Sequence, residues 1–280
     1  YSTLTMPDHF TGQLAPVPAL QAAADATTTL RLGALVFDND YKHPVVLAKE
    51  LATMDVLSDG RVEIGLGAGW MVTDYEQSGI VYDSPGVRVS RFMEGLHVIK
   101  SALGPEPFSF AGEHYTITNY DGHPKPVQSP PPVLIGGGGP RVLRFAAREA
   151  DIVGINPTLT SGAIDQSTFA SMTAEAVDEK VAIVTDTAAG AGRLDVIELN
   201  VRAFLVTVTD DVEGATNTIV EFSGASREMI EASPFVLVGP PSKLIDDLVA
   251  RRERWGFSYV IVGQNDLDAF APVVAALAGT

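Results

Sequence analysis

The sequence predicts an α/β protein of the (β/α)8 barrel type, and three observations carry that prediction. Short apolar runs rich in β-branched residues alternate with helical patterns along the chain, the rhythm of parallel strands joined by crossover helices. Several runs are continuously apolar rather than alternating, as strands covered on both faces require. Seven strand–helix units are countable, the first beginning in mid-strand. Seven fits a closed eight-stranded barrel lacking its first unit better than an open sheet, and 280 residues exceed the roughly 250 such a barrel takes. The chain is therefore expected to form a single TIM-type barrel domain over 1–280, with its first strand missing.

In order, the expected strands are 2–6, 30–37, 62–66, 133–135, 152–155, 199–208 and 259–262. Helical spacing of apolar residues marks 45–57, stopped by Ser58-Asp59-Gly60, and 87–103, stopped by Gly104-Pro105. The same pattern marks 142–150, 243–255 and 267–278. Two excursions hold the surplus length. One is 105–132, rich in Pro and Gly; the other is 156–195, rich in Ala, Thr and Asp and partly helical.

Composition narrows the function classes. Hydrophobic residues make up 46% and charged residues 19% of the chain, an ordinary globular balance. The 35 acids outnumber 19 bases, giving a net charge of −16 that repels nucleic acid. No apolar run approaches the roughly 18 residues of a membrane helix. With no cysteine, disulfides, thiolate nucleophiles and Cys–metal clusters are excluded. A cytoplasmic protein without a membrane partner is the resulting expectation.

In a barrel of this kind chemistry sits where strands end and the following loops begin. That rule selects Asp8-His9, 37–43, 65–70, Gly136 to Gly139 and Asn156. The stretch VEIGLGAGW places Gly65, Gly67 and Gly69 at every second position before Trp70. The dinucleotide fingerprint fails here, because Trp70 occupies the place of its third glycine. Two readings stand for the glycines: clearance for a flat ring beside Trp70, or small residues in a crowded barrel interior. Gly136, Gly137, Gly138 and Gly139 follow a strand, and Pro140 opens a helix. Bare backbone N–H groups at a helix N-terminus bind anions, so a phosphate is the expected guest.

A histidine at the end of the first strand, His9, can transfer a proton near neutral pH, and Asp8 can hold a ring hydroxyl or amide. Asp38-Asn39-Asp40 reads first as an Asx turn. His43, just before Pro44, reads as a turn or cap residue. There is no H-x-H, H-E-x-x-H or G-x-S-x-G, so neither a metal site nor a serine elbow is expected.

MPDHF, LRLGALVF, HPVVLAKELATMDVLSDGRVEIGLGAGW, GVRVSRFMEGLHVIKSAL and PPPVLIGGGGPRVLRFAAREADIVGIN together resemble the bacterial luciferase-like superfamily. Within it they resemble the actinobacterial branch that uses the deazaflavin coenzyme F420. The resemblance runs to about Asn156 and resumes at SPFVLVGPPSKLIDDLVARRERWGFSYVIV. It implies a (β/α)8 barrel with insertions, holding a flavin or deazaflavin across its C-terminal mouth. By that resemblance Asp8 and His9 lie beside the ring, with His9 the catalytic candidate. Leu35, Val36 and Phe37 match the bulge that backs the ring, often through a non-prolyl cis peptide. Gly67, Ala68, Gly69 and Trp70 line the cleft, and Gly136, Gly137, Gly138 and Gly139 hold the phosphate.

The resemblance thus implies an oxidoreductase acting on a small organic molecule, with F420 as hydride carrier. The alternatives are an FMN-dependent monooxygenase and a non-catalytic cofactor-binding protein. It also implies a homodimer. Deazaflavin-dependent sugar-phosphate dehydrogenases of the superfamily carry a glutamate directly after the third glycine. Trp70 stands there in this chain, which sets it apart from that activity.

Overall fold

The computed structural model describes residues 1–159 and 162–279. The chain divides into two compact units, Tyr1–Gly136 and Gly137–Thr280. In the first unit it runs β1 (Thr3–Met6), α1 (Pro16–Asp25), β2 (Arg31–Ala34), β3 (Phe37–Asp38), α2 (Pro44–Leu57), β4 (Val62–Gly67), α3 (Val72–Ser78), α4 (Pro85–Leu103), β5 (Phe108–Ala111) and β6 (Thr116–Tyr120). β7 (Val133–Gly137) leads out of it. β1, β2, β4 and β7 lie side by side in that order, all parallel. The stub β3 extends the pairing of β4, with Phe37 opposite Leu66 and Asp38 opposite Gly67. β5 and β6 form an antiparallel hairpin inside the Pro/Gly-rich excursion.

The sequence explains these elements locally. α1, α2 and α4 each begin on a proline, whose fixed φ suits the first helical position and whose missing N–H has no partner to lose there. His43 caps α2, its Nδ1 accepting from the Val45 N–H. Every residue of β4 is buried, which is why its apolar run does not alternate. The one charge in it, Glu63, is met by Arg31 Nε at 3.3 Å. Leu47, Ala48, Leu51 and Ala52 turn the apolar side of α2 inward, each leucine contributing about 1.5–3 kcal/mol through burial.

The second unit continues with α5 (Pro140–Glu149), β8 (Ile152–Ile155), α6 (Gln166–Ala170), α7 (Ala174–Gly190), β9 (Glu198–Arg202), β10 (Leu205–Val208), α8 (Val212–Ser223), α9 (Arg227–Ala232), β11 (Val236–Gly239), α10 (Pro241–Trp255), β12 (Phe257–Ile261) and α11 (Leu267–Leu277). β8, β9 and β12 are parallel neighbours in that order, and β10 pairs in parallel with β11. The excursion 156–195 holds α6 and α7; Thr160 and Ser161 within it lie outside the described residues.

Strand–helix alternation is as the sequence predicts, with differences in both units; in the first, the expected strand 30–37 is split into β2 and β3. The run 199–208 is two strands. Ala203 N–H donates to the Ile261 carbonyl and Phe204 N–H to that of Phe235, so the chain passes from the β12 side to β11. The run 236–239, too short to register as a period, is β11. Periodicity also omits α1 and α8, where alanines and threonines dilute the apolar stripe. No helix among the described residues is long and apolar enough to cross a membrane.

Two carboxylates hold distant backbone in place in the first unit. Asp55, with no exposure to solvent, accepts from the Gln128 backbone N–H at 2.9 Å and from its side-chain Nε2 at 2.6 Å. Glu94 on α4 accepts from three successive backbone N–H groups, those of Glu113, His114 and Tyr115, and so seats the β5–β6 hairpin. Replacing Asp55 by Ala takes away the acceptor of the Gln128 backbone N–H and leaves Gln128 Nε2 with the Val62 carbonyl, at 2.8 Å, as its remaining acceptor. We expect Asp55→Ala to lower unfolding free energy by about 2–4 kcal/mol, measured by urea denaturation, with Asp55→Asn losing less.

Candidate active site

The loop after β1 carries Asp8, His9 and Phe10 to the side chains that follow β3 and β4. His9 Nδ1 lies 2.6 Å from Oδ2 of Asp74, a residue of α3 with no exposure to solvent. A carboxylate can only accept, so Nδ1 carries the hydrogen and Nε2 presents the free edge of the ring. Asp74 is held in turn by the Tyr41 hydroxyl, donating to Oδ2 at 3.1 Å, and by the Phe10 N–H, donating to Oδ1 at 3.4 Å. Three donors on one buried carboxylate fix its position and, through it, the imidazole plane. Trp70 stands edge-on to His9, ring centres 5.7 Å apart and planes perpendicular. The Tyr82 hydroxyl donates to the Trp70 carbonyl at 2.9 Å, and the Arg88 guanidinium lies 4.0 Å over the Tyr82 ring.

Beneath this pair lies a second set of carboxyls. Asp8 Oδ2 accepts from the Asp38 N–H at 3.2 Å, and burial raises the Asp8 carboxyl above its ordinary range. Asp38 Oδ1 accepts from the Asp40 N–H at 2.9 Å, the Asx turn its sequence suggests. Asp40 is bound by Arg91 in fork geometry, Nε to Oδ1 at 2.7 Å and an Nη to Oδ2 at 2.9 Å. The single Tyr75 hydroxyl hydrogen faces both Asp38 oxygens, at 2.9 and 3.2 Å, and Asp40 Oδ2 at 3.1 Å. Burial, then the neighbouring Asp40 charge, push the Asp38 carboxyl up to about 7. Among the described residues no group of three or more His, Asp or Glu is arranged to hold a metal ion.

The predicted cofactor residues divide. Leu35 and Val36 are half-buried, and the peptide between them is cis. Phe37 is in the core, 2% exposed. Ala68, Gly69 and Trp70 are half-buried, and Gly67 is buried. The alternating glycines have a packing cause in what stands beside them. A Cβ on Gly65 would collide with the Ala34 carbonyl oxygen, one on Gly67 with Val36, and one on Gly69 with the Tyr75 hydroxyl. The chain's own atoms fill that space, as the crowded-interior reading has it.

Gly136 ends the first unit, and Gly137 to Gly139 open the second. β7 extends through Gly136 and Gly137, two residues beyond its expected end. Gly138 has a packing reason: a Cβ there would strike the carbonyl oxygens of Pro157 and Asn156. Gly139 precedes α5 with open space around it, so the helix N-terminus is bare on that side.

A family model for luciferase-like monooxygenases matches residues 1–226. The chain belongs to that family. A 29% identical relative over 248 residues, 88% of this chain and 77% of the other, is an uncharacterized protein of Mycobacterium tuberculosis. An F420-dependent glucose-6-phosphate dehydrogenase of Amycolatopsis mediterranei is 31% identical over 133 residues, 47% of this chain and 40% of its own. An FMNH2-dependent dimethylsulfone monooxygenase of Pseudomonas putida is 31% identical over 127 residues, 45% of this chain and 35% of its own. Among solved structures, an F420-dependent secondary alcohol dehydrogenase superposes with a TM-score of 0.80 at 15% identity, over 99% of this chain and 89% of that one. This luciferase-like chain therefore shares the barrel fold its sequence predicts, in a family of oxidoreductases.

Sequence reasoning finds His9 and Asp8 and misses Asp74, Tyr41 and Tyr75. Asp74 sits in the first turn of α3, where an acid is equally expected as a complement to the helix dipole. Its one distinguishing signal is placement four residues after Trp70. The Asp38 shift has a measurable sign. Between pH 4 and 7 the folded chain holds a proton on Asp38 that the unfolded chain has released. Stability should then fall as pH rises through that window, by at most about 1.4 kcal/mol per pH unit. Asp38→Asn should flatten the slope in urea titrations at pH 5, 6 and 7; an unchanged slope places the proton elsewhere.

Proposed function

We propose that this chain is an oxidoreductase that transfers hydride between coenzyme F420 and a small alcohol or carbonyl compound, with His9 as the proton-handling residue. One observation carries the reading: in a chain of this family, a histidine at the end of β1 is locked to a fully buried carboxylate, leaving Nε2 as its free edge. Such a pair serves as a general base or acid, worth about 10²–10⁴ in rate.

The residues present fit a ring in the first unit and a phosphate in the second, each taken separately. Asp8, Leu35, Val36, Ala68, Gly69 and Trp70 are the ring-binding candidates, with Gly67 and Phe37 supporting them from the core. Gly137, Gly138 and Gly139, with Gly136 before them, are the phosphate-binding candidates. At Gly138 the closeness of two carbonyl oxygens excludes any side chain, and the Gly139 side of the α5 N-terminus is open to an anion. When bound, F420 accepts or gives a hydride at its C5 position. His9 Nε2 takes the hydroxyl proton as an alcohol carbon loses its hydride, or returns it to the carbonyl oxygen in the reverse direction. Asp74 accepts from Nδ1 and stabilises the imidazolium that forms; Trp70 shields the imidazole from water along one edge. Without a carboxylate at position 70, sugar-phosphate oxidation is not part of the proposal.

A second reading, an FMN-dependent monooxygenase, is favoured by the Pseudomonas putida relative, which matches as well as the F420-dependent one. Titrating the purified chain with F420 and with FMN, followed by absorbance and fluorescence, separates the two. Saturable F420 binding with weak FMN binding supports the first; the opposite result replaces it with the second. Binding of F420 with no turnover on any alcohol, aldehyde or ketone favours a non-catalytic carrier. With a substrate in hand, His9→Ala should lower kcat at least about 100-fold with little change in F420 affinity. Full turnover by His9→Ala removes the assignment.

A further inference from the structure

The second unit holds a charge that the reading above does not use. Arg202 ends β9, at the C-terminal edge of the parallel strands β8, β9 and β12. It is half-buried, and burial alone lowers its pKa from the ordinary arginine value. Its guanidinium has no carboxylate and no carbonyl partner among the described residues; the one contact it makes is with the Phe204 ring, 5.1 Å from the guanidinium carbon.

That isolation is peculiar to Arg202. The other arginines equally withdrawn from water are Arg31, Arg61, Arg88, Arg91, Arg193 and Arg251. Arg31 and Arg91 bind carboxylates. Arg61, Arg88, Arg193 and Arg251 bind backbone carbonyls, Arg251 three of them. A guanidinium offers five N–H donors and no acceptor, and in Arg202 none of the five is taken by a protein group among the described residues, so all remain for a ligand.

A second cation at the same strand ends also lacks an acid. Lys180 on α7 is buried, and its Nζ donates to the carbonyls of Asn156 and Ser171, both at 2.9 Å. Burial alone pushes it down to about 8. Asn156 directly follows Ile155, which is in register with Val201, the residue before Arg202. Two cations without acidic partners among the described residues therefore flank the ends of β8 and β9, in a chain carrying 35 acids against 19 bases.

We infer that Arg202 is the anchor of an oxyanion-binding site at the C-terminal end of β9, taking a phosphate or carboxylate group in fork geometry. Planar, bidentate pairing is what a guanidinium does best, and Phe204 holds its plane. Lys180 adds positive potential from below without touching the ligand. The anion has two sources, a phosphate on the cofactor or an acidic group on the substrate. The site goes beyond the proposed hydride transfer and does not depend on which cofactor is used.

The test titrates inorganic phosphate into wild type, Arg202→Gln, Arg202→Lys and Gly139→Asp by calorimetry, with thermal melts as the folding control. Arg202→Gln should weaken phosphate binding about tenfold or more, with Arg202→Lys in between. Phosphate should also shift the Arg202 side-chain Nε–H NMR signal of the wild type, a readout independent of any variant's folding. FMN and riboflavin titrations then identify the source. Loss of FMN affinity with riboflavin unchanged assigns the anion to the cofactor; both unchanged while inorganic phosphate is weakened assigns it to the substrate. Phosphate binding equal to wild type in Arg202→Gln, with an unmoved Nε–H signal, overturns the inference. If Gly139→Asp alone loses phosphate, the helix N-terminus stands as the phosphate site and the Arg202 site falls.

Discussion

A buried carboxylate must find its hydrogen bonds inside the protein, and in the first unit that requirement organises the candidate active site. Asp74 is withdrawn from solvent entirely and collects donors from three places: the His9 ring, the Phe10 backbone and the Tyr41 hydroxyl. The first two follow β1, the third follows β3, and Asp74 itself follows β4. An unpaired carboxylate at that depth would cost several kcal/mol. The three loops therefore have one low-energy arrangement relative to each other, and the imidazole inherits its orientation from it.

The carboxyls below it are kept compatible by different means. Arg91 neutralises Asp40, while burial lets Asp38 keep a proton close to neutrality. Burial first, and then these same carboxyls, hold the Tyr41 and Tyr75 phenols far above their usual range. Both therefore stay hydrogen donors at any working pH. The first unit thus carries paired acids, whereas the strand ends of the second carry Arg202 and Lys180 with no acidic partner among the described residues.

Much of this was legible from residue order. Continuous apolar runs mark strands covered on both faces; proline marks the helix starts; His9 is exposed to suspicion simply by ending a strand. What escaped lies where one residue type answers to two physical causes. Asp74 looks like a dipole complement at a helix start, and only its depth reveals its duty. Arg202 reads as the last residue of a strand, and its lack of a partner exists only in three dimensions. Gly65 and Gly67 read equally well as room for a ring or room for a neighbouring strand, and the Ala34 carbonyl and Val36, which supply a packing cause for both, are brought beside them only by the fold. Phe37 is placed beside the cofactor by the family resemblance, and its burial in the core, 2% exposed, exists only in three dimensions.

The seat of the β5–β6 hairpin has a consequence for how this protein can change. Glu94 grips the N–H groups of Glu113, His114 and Tyr115, which every amino acid except proline supplies. The attachment is therefore blind to side-chain identity at those positions. Tyr115 has a further commitment, its hydroxyl accepting from Asn39 and its ring meeting His43 edge-on. Glu113, exposed to solvent, is thus free to be rewritten without unseating the loop, whereas His114 keeps its Nε2 buried; surface chemistry at 113 can diversify on a mounting that stays the same.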